Sequence, residues 1–179
     1  MSNIGTSRQT LQRSRRARFR SALAGFPALA IVAAGLAIMF FGATLPTPLY
    51  PLYRFAFGFG GVTLTLIYAV YVLGNLVALL FFGRLSDQIG RRPATLPAIG
   101  VGIVSTLAFL LADGTVWLFA ARILSGFATG LAAGAATAWL AELQPQGDKA
   151  VAASIASAAN FAGLAVAPLL AGTLAQLAP

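Results

Sequence analysis

Residues 62–93 read VTLTLIYAVYVLGNLVALLFFGRLSDQIGRRP, and the change of character at Gly83 decides the fold class. No side chain from Val62 to Phe82 is charged, whereas Arg84, Asp87, Arg91 and Arg92 follow within ten residues. A helix needs about 20 apolar residues to cross a hydrocarbon core of about 30 Å. Val62–Phe82 is long enough to do so, and the charged stretch after it must lie outside the core.

The same test applies along the rest of the chain. Arg20 to Arg54 encloses 33 uncharged residues, Arg54 to Arg84 encloses 29, Arg92 to Asp113 encloses 20, and 30 follow Lys149. Asp113 to Glu142 encloses 28 residues interrupted only by Arg122. Five spans are predicted: Phe26–Leu45, Val62–Phe82, Ala94–Ala112, Thr115–Ala141 and Val151–Leu177. The fold class is therefore all-α, a polytopic transmembrane helix bundle. Residues 1–25 form a basic cytoplasmic arm, and residues 26–179 carry the five helices.

Composition agrees. The 179 residues are 59% hydrophobic and 9% charged, against about 25% charged in soluble domains. With no Cys and no His, disulfides and Cys or His catalysis are excluded. Nothing implies a metal or a cofactor, and an enzyme is not expected. The net charge of +8 is not a nucleic-acid signal, because six of the twelve cations lie between Arg8 and Arg20, ahead of the first apolar run. A basic arm beside the bilayer explains them.

The connections predict antiparallel neighbours. Pro46, Pro48 and Pro51 are expected to end the first helix and begin an extended connection. Gly58, Gly60 and Gly61 precede the second span, Asp113-Gly114 is a tight turn, and Pro145 and Gly147 separate spans four and five. Arg8, Arg13, Arg15, Arg16, Arg18, Arg20, Arg84, Arg91, Arg92 and Lys149 fall on one side, and only Arg54 and Asp113 on the other. The positive-inside rule then places the N-terminus in the cytoplasm and the C-terminus on the outer face of a plasma (inner) membrane. Ser14-Arg15-Arg16-Ala17-Arg18-Phe19 is similar to a twin-arginine export signal. The uncharged run after it, however, exceeds the roughly 7–15-residue core of a signal peptide.

The loop Gly83–Pro93 carries more than topology requires. Gly83 lets the chain leave the second helix, Gly90 permits a left-handed turn, and Asp87 stands alone among three arginines. A carboxylate here can face another helix's N-terminus, where the dipole favours it. This stretch resembles the major facilitator superfamily signature Gly-x-Leu-Ala-Asp-Arg-x-Gly-Arg-Lys. Gly83, Leu85, Asp87, Gly90 and Arg91 fall on its fixed positions; Arg92 replaces the lysine, and Ser86 and Gln88 depart. The resemblance implies a conformational latch. Its aspartate would engage a helix of the opposite half, and its arginine would pair with a carboxylate near the end of span four, here Glu142.

Arg122 is the sole charge inside a span. Unpaired in the membrane it costs from about 2.5 to more than 10 kcal/mol, which favours a protein-lined or hydrated interior. Snorkelling to the outer headgroups is the alternative. Gly126, Gly130 and Gly134 follow at intervals of four and allow close helix approach. Leu118-x-x-x-Arg122-x-x-Ser125-Gly126 resembles the second signature of drug/proton antiporters, with Ser125 in place of glutamine, which implies proton coupling through Arg122.

In the fifth span, Ala159, Gly163, Ala167 and Ala171 recur every four residues beside Pro168 and Gly172. Gly163-x-x-x-Ala167-Pro168-x-x-Ala171-Gly172 is similar to the antiporter signature with two glycines replaced by alanine, which implies export. Tyr68, Tyr71, Asn75 and Asn160 could line a cavity or simply pack between helices. Tyr71 and Asn75, four residues apart, share a face.

The family resemblance implies a secondary transporter of small molecules or drugs, with protons as coupling ion and a bilayer as solvent. Uptake of sugars or metabolites, a truncated membrane protein without transport of its own, and a non-transport scaffold are the competing functions. Five spans of a usual twelve supply less than one half, so the chain is expected to be a fragment or truncated product whose C-terminal half is missing.

Overall fold

The computed structural model describes residues 26–83, 90–144 and 148–177. These residues are helical almost throughout, with no strand among them. We number the helices α1 (residues 26–44), α2 (Tyr50–Phe57), α3 (Gly61–Phe82), α4 (Arg91–Leu110), α5 (Thr115–Leu143) and α6 (Lys149–Leu177). By length and apolarity they make five membrane-crossing segments, with α1 and α2 together forming the first, Phe26–Phe57.

That first segment differs from expectation. The three prolines do not start an extended connection. A 3-10 turn, Thr47–Leu49, follows Pro46, and α2 then continues to Phe57. Pro48 and Pro51 sit in the first turns of these two short elements. An N–H there has no helical acceptor in any case, so proline breaks nothing. The Leu45 N–H still donates to the Phe41 carbonyl at 2.9 Å and the Leu49 N–H to the Pro46 carbonyl at 3.0 Å, so the interruption is confined to the residues between them, giving a broken helix rather than a loop. Gly58 closes α2 at φ +66°, its N–H donating to the Arg54 carbonyl at 3.0 Å.

α3 ends in a π-helical turn, Ala78–Phe82, directly before Gly83. Proline at position 97 lies inside α4 and Pro168 inside α6. Asp148 caps α6, its carboxylate accepting from the N–H groups of Ala150 at 2.9 Å and Val151 at 3.3 Å.

α5 is the hub of the bundle. Half of its most apolar stretch is buried, against 17–28% for the other segments. It packs on α3, α4 and α6. One core cluster joins Val32, Leu36 and Phe40 of α1 to Ala98, Ala132, Ala136, Leu140, Ala152 and Ala156. A second surrounds Tyr50, Ile67, Phe109, Leu118 and Ala121. Large apolar side chains such as Leu80, Phe81, Leu110, Val116 and Phe161 point outward. Such an exterior suits hydrocarbon, where apolar surface is not driven inward.

Candidate functional site around a buried arginine

One face of α5 carries Leu118, Arg122, Ser125 and Thr129, all buried. Arg122 is only 3% exposed, so it does not snorkel to a membrane surface. Its Nε donates to the Tyr50 hydroxyl at 2.6 Å and its NH1 to the Ala43 carbonyl at 2.6 Å. NH2 stands 3.5 Å from the Thr47 hydroxyl. Four rings enclose the guanidinium. Its carbon lies 5.2 Å from the ring centres of Tyr50 and Tyr68, 5.4 Å from Phe109 and 5.7 Å from Tyr71.

This arrangement explains how a cation is held without a carboxylate among its described partners. Hydrogen bonds from a charged donor are about twice as strong as neutral ones. Each desolvated ring face adds on the order of 0.5–2 kcal/mol. Together they are of the size needed to offset the lower estimates of placing arginine in a membrane, about 2.5–3.5 kcal/mol.

Tyr68 and Tyr71, for which the sequence leaves both cavity lining and packing between helices open, are part of this cage. The Tyr71 hydroxyl is 3.1 Å from that of Thr129, which also lies 3.0 Å from the Ser125 carbonyl and 2.9 Å from the Gly126 carbonyl. Asn75, on the same side of α3, faces Gly130: a Cβ there would lie 2.7 Å from the Asn75 carbonyl oxygen and 3.1 Å from its Oδ1. Asn160 is not brought to this site. It lies on α6, its Oδ1 buried without a hydrogen-bond partner.

The glycines divide sharply. A Cβ on Gly126 would fall on the backbone carbonyl of Tyr71, and one on Gly163 on that of Ala37. Gly134 and Gly172 are looser, with nearest neighbours at 3.8 Å and 3.9 Å. On the helix around Pro168, Gly163, Ala167 and Ala171 are buried.

Of the latch residues, Leu85 and Asp87 lie outside the described residues. Gly83 follows the π turn of α3, and Arg91 and Arg92 open α4. Gly90 adopts φ +92°, ψ 160°, a conformation open essentially to glycine alone. Glu142 is exposed near the C-terminal end of α5.

Sequence reasoning overlooked Tyr50, Thr47 and Phe109, the partners that complete the cage, and Gly74, whose Cβ would strike the Ile123 carbonyl. A tyrosine between two prolines beside a membrane span was the available signal for Tyr50. A cavity of about 330 Å³ lies between α1, α4 and α5, bordered by Met39, Gly42, Gly102, Ser105, Ser125 and Thr129. Two of these hydroxyls are engaged within the bundle, Ser105 with the Ala121 carbonyl at 2.9 Å and Thr129 with the Gly126 carbonyl at 2.9 Å. No cluster of three or more acidic or other metal-ligating side chains exists among the described residues.

The family model described as Major Facilitator Superfamily matches residues 32–179. The chain is 27% identical over 142 residues to the quinolone resistance protein NorA of Staphylococcus aureus, covering 78% of this chain and 36% of NorA. It is 32% identical over 114 residues to the major facilitator-type transporter psiT2 of Psilocybe cyanescens, covering 63% of this chain and 21% of psiT2. It thus spans little more than a third of NorA and about a fifth of psiT2.

Proposed function

Because the chain belongs to the Major Facilitator Superfamily, we propose that it forms the first five membrane-crossing helices of a secondary transporter that exports small, hydrophobic compounds. The observation that carries this is the family match over residues 32–179, which runs through all five segments. Likeness to a quinolone resistance protein favours export and suggests planar aromatic drugs as substrates. The mostly apolar cavity between α1, α4 and α5 is compatible with hydrophobic ligands. Transport proceeds by alternating access, one helical half rocking against another around a site near the midplane. Protons supply the driving force, and a second half completes the machine.

In this scheme residues 1–25 and the Gly83–Arg92 loop lie in the cytoplasm, following the arginine distribution. The loop acts as the latch, with Gly83, Leu85, Asp87, Gly90, Arg91 and Arg92 forming it and Glu142 taking up an arginine. Tyr71 and Asn75 line the inner face of α3.

The test is efflux of ethidium or a fluoroquinolone from energised cells expressing the gene that encodes this chain. Efflux should exceed that of vector-only cells and stop when the proton gradient is collapsed. Equal efflux in both cultures would count against export. Asp87→Asn should slow export severalfold while leaving protein in the membrane; unchanged efflux would remove the latch role.

A further inference from the structure

The first segment is broken between residues 44 and 47, and Arg122 touches it on both sides of the break. A helix leaves its last four carbonyls without main-chain donors. Ala43 belongs to the final turn of α1, and Pro46 has no N–H to offer the chain before it. Leu49 resumes bonding only to the Pro46 carbonyl, at 3.0 Å. The Ala43 carbonyl instead accepts from Arg122, at 2.6 Å. The guanidinium also sits at the negative end of the α1 dipole, where a cation is favoured. Beyond the break, Tyr50 receives Nε of the same guanidinium at 2.6 Å, and Thr47 inside the break stands 3.5 Å from NH2.

We infer that Arg122 is a fixed clasp across the break in the first segment, and that Tyr50 is the positioning residue that ties α2 to it. Tyr50 is 2% exposed and packs on Tyr68, ring centres 5.3 Å apart. A second tie runs from the Tyr53 hydroxyl to the Phe109 carbonyl at 3.0 Å. The break, the arginine and the rings of α3 and α4 thereby move as one body. The planar guanidinium presents its donors in a rigid fork that spans the acceptors on both sides of the break, whereas an ammonium's three donors radiate from one nitrogen on a flexible stem. A coupling arginine that swings during transport would have to open this cage, whereas a clasp keeps it shut. The inference does not depend on transport and can fail or stand without it.

The chain has no cysteine, so paired spin labels can be placed without background. Ile38→Cys on α1 and Phe55→Cys on α2 are both strongly exposed, at 67% and 94%. They are separated by about 25 Å if the segment runs straight. The whole chain in lipid nanodiscs should give one narrow distance distribution. Tyr50→Phe should widen it about twofold, because loss of a charge-assisted hydrogen bond frees the angle at the break. Arg122→Gln should widen it further, and Arg122→Lys should not restore the parent width. A distribution as narrow in Tyr50→Phe as in the parent overturns the positioning role. A narrow distribution in Arg122→Lys shows that a flexible cation holds the break as well and overturns the fixed-fork clasp. If Arg122→Gln does not insert, Tyr50→Phe decides, since it removes a single oxygen.

Discussion

The seam between α3 and α5 and the seam between α1 and α6 are built on the same contact but differ in how it is answered. On α3, a Cβ at Gly74 would strike the Ile123 carbonyl and lie 3.1 Å from the Phe127 nitrogen. On α6, a Cβ at Gly163 would strike the Ala37 carbonyl and lie 2.9 Å from the Phe41 nitrogen. In each case the glycine rests on a carbonyl and the nitrogen four residues later, the two ends of one helical turn. α5 answers with glycines of its own: Gly126 presses on Tyr71 and Gly130 on Asn75 and Ala78. α1 does not, because Gly35 and Gly42 face open space and Leu36 and Phe40 fill the contact instead. The reciprocal seam brings two backbones together over several turns, beside the buried arginine. The one-sided seam touches closely at one point and relies on alanines elsewhere.

This difference orders the expected effects of substitution. Gly126→Ala should be the most damaging, since its methyl meets a backbone that cannot yield without parting α3 from α5. The loss should be at or above the upper end of the about 1–3 kcal/mol usual for overpacking. Heating in detergent and measuring the monodisperse fraction should show the largest fall in midpoint. Gly163→Ala should cost less, within that same range of about 1–3 kcal/mol, because α6 can tilt away from a single contact. An equal or larger loss than at Gly126 would mean that the two seams are equally rigid. Thr129→Val removes the hydroxyl that meets Tyr71 and should cost about 0.6 kcal/mol, the average for a hydrogen bond between membrane helices. A drop as large as that of the glycine variants would show that the hydroxyl pair holds the seam. Gly134→Ala should be neutral or stabilising by up to about 1 kcal/mol, since alanine favours the helix and nothing lies within 3.8 Å. Lowered stability there would extend the tight seam beyond Gly130.

Much of this was legible in advance, and the limits are instructive. Charge spacing located the five spans, and in the described helices their ends moved by only a few residues, except at Pro46–Pro51. There the prolines read as a loop because their missing N–H groups were noted, but not their position in the first turns of new helical elements. Gly126, Gly130 and Gly134 look alike at intervals of four, yet only the first two are pressed against α3. Two helices crossing at an angle stay close over a few turns, and the crossing point is not written in the spacing. Arg122 was rightly singled out as costly, but Tyr50, 72 residues earlier, could not be matched to it.

Membrane insertion, the number of spans and the need to shelter one arginine follow from the chain alone. Each depends on transfer of about 20 consecutive residues from water to hydrocarbon, a local sum that neighbours in space barely alter. Which glycines become contact points, and which groups surround Arg122, were settled by helix packing. Those outcomes depend on crossing geometry and on pairings between residues far apart in the chain, where a shift of one turn exchanges every partner.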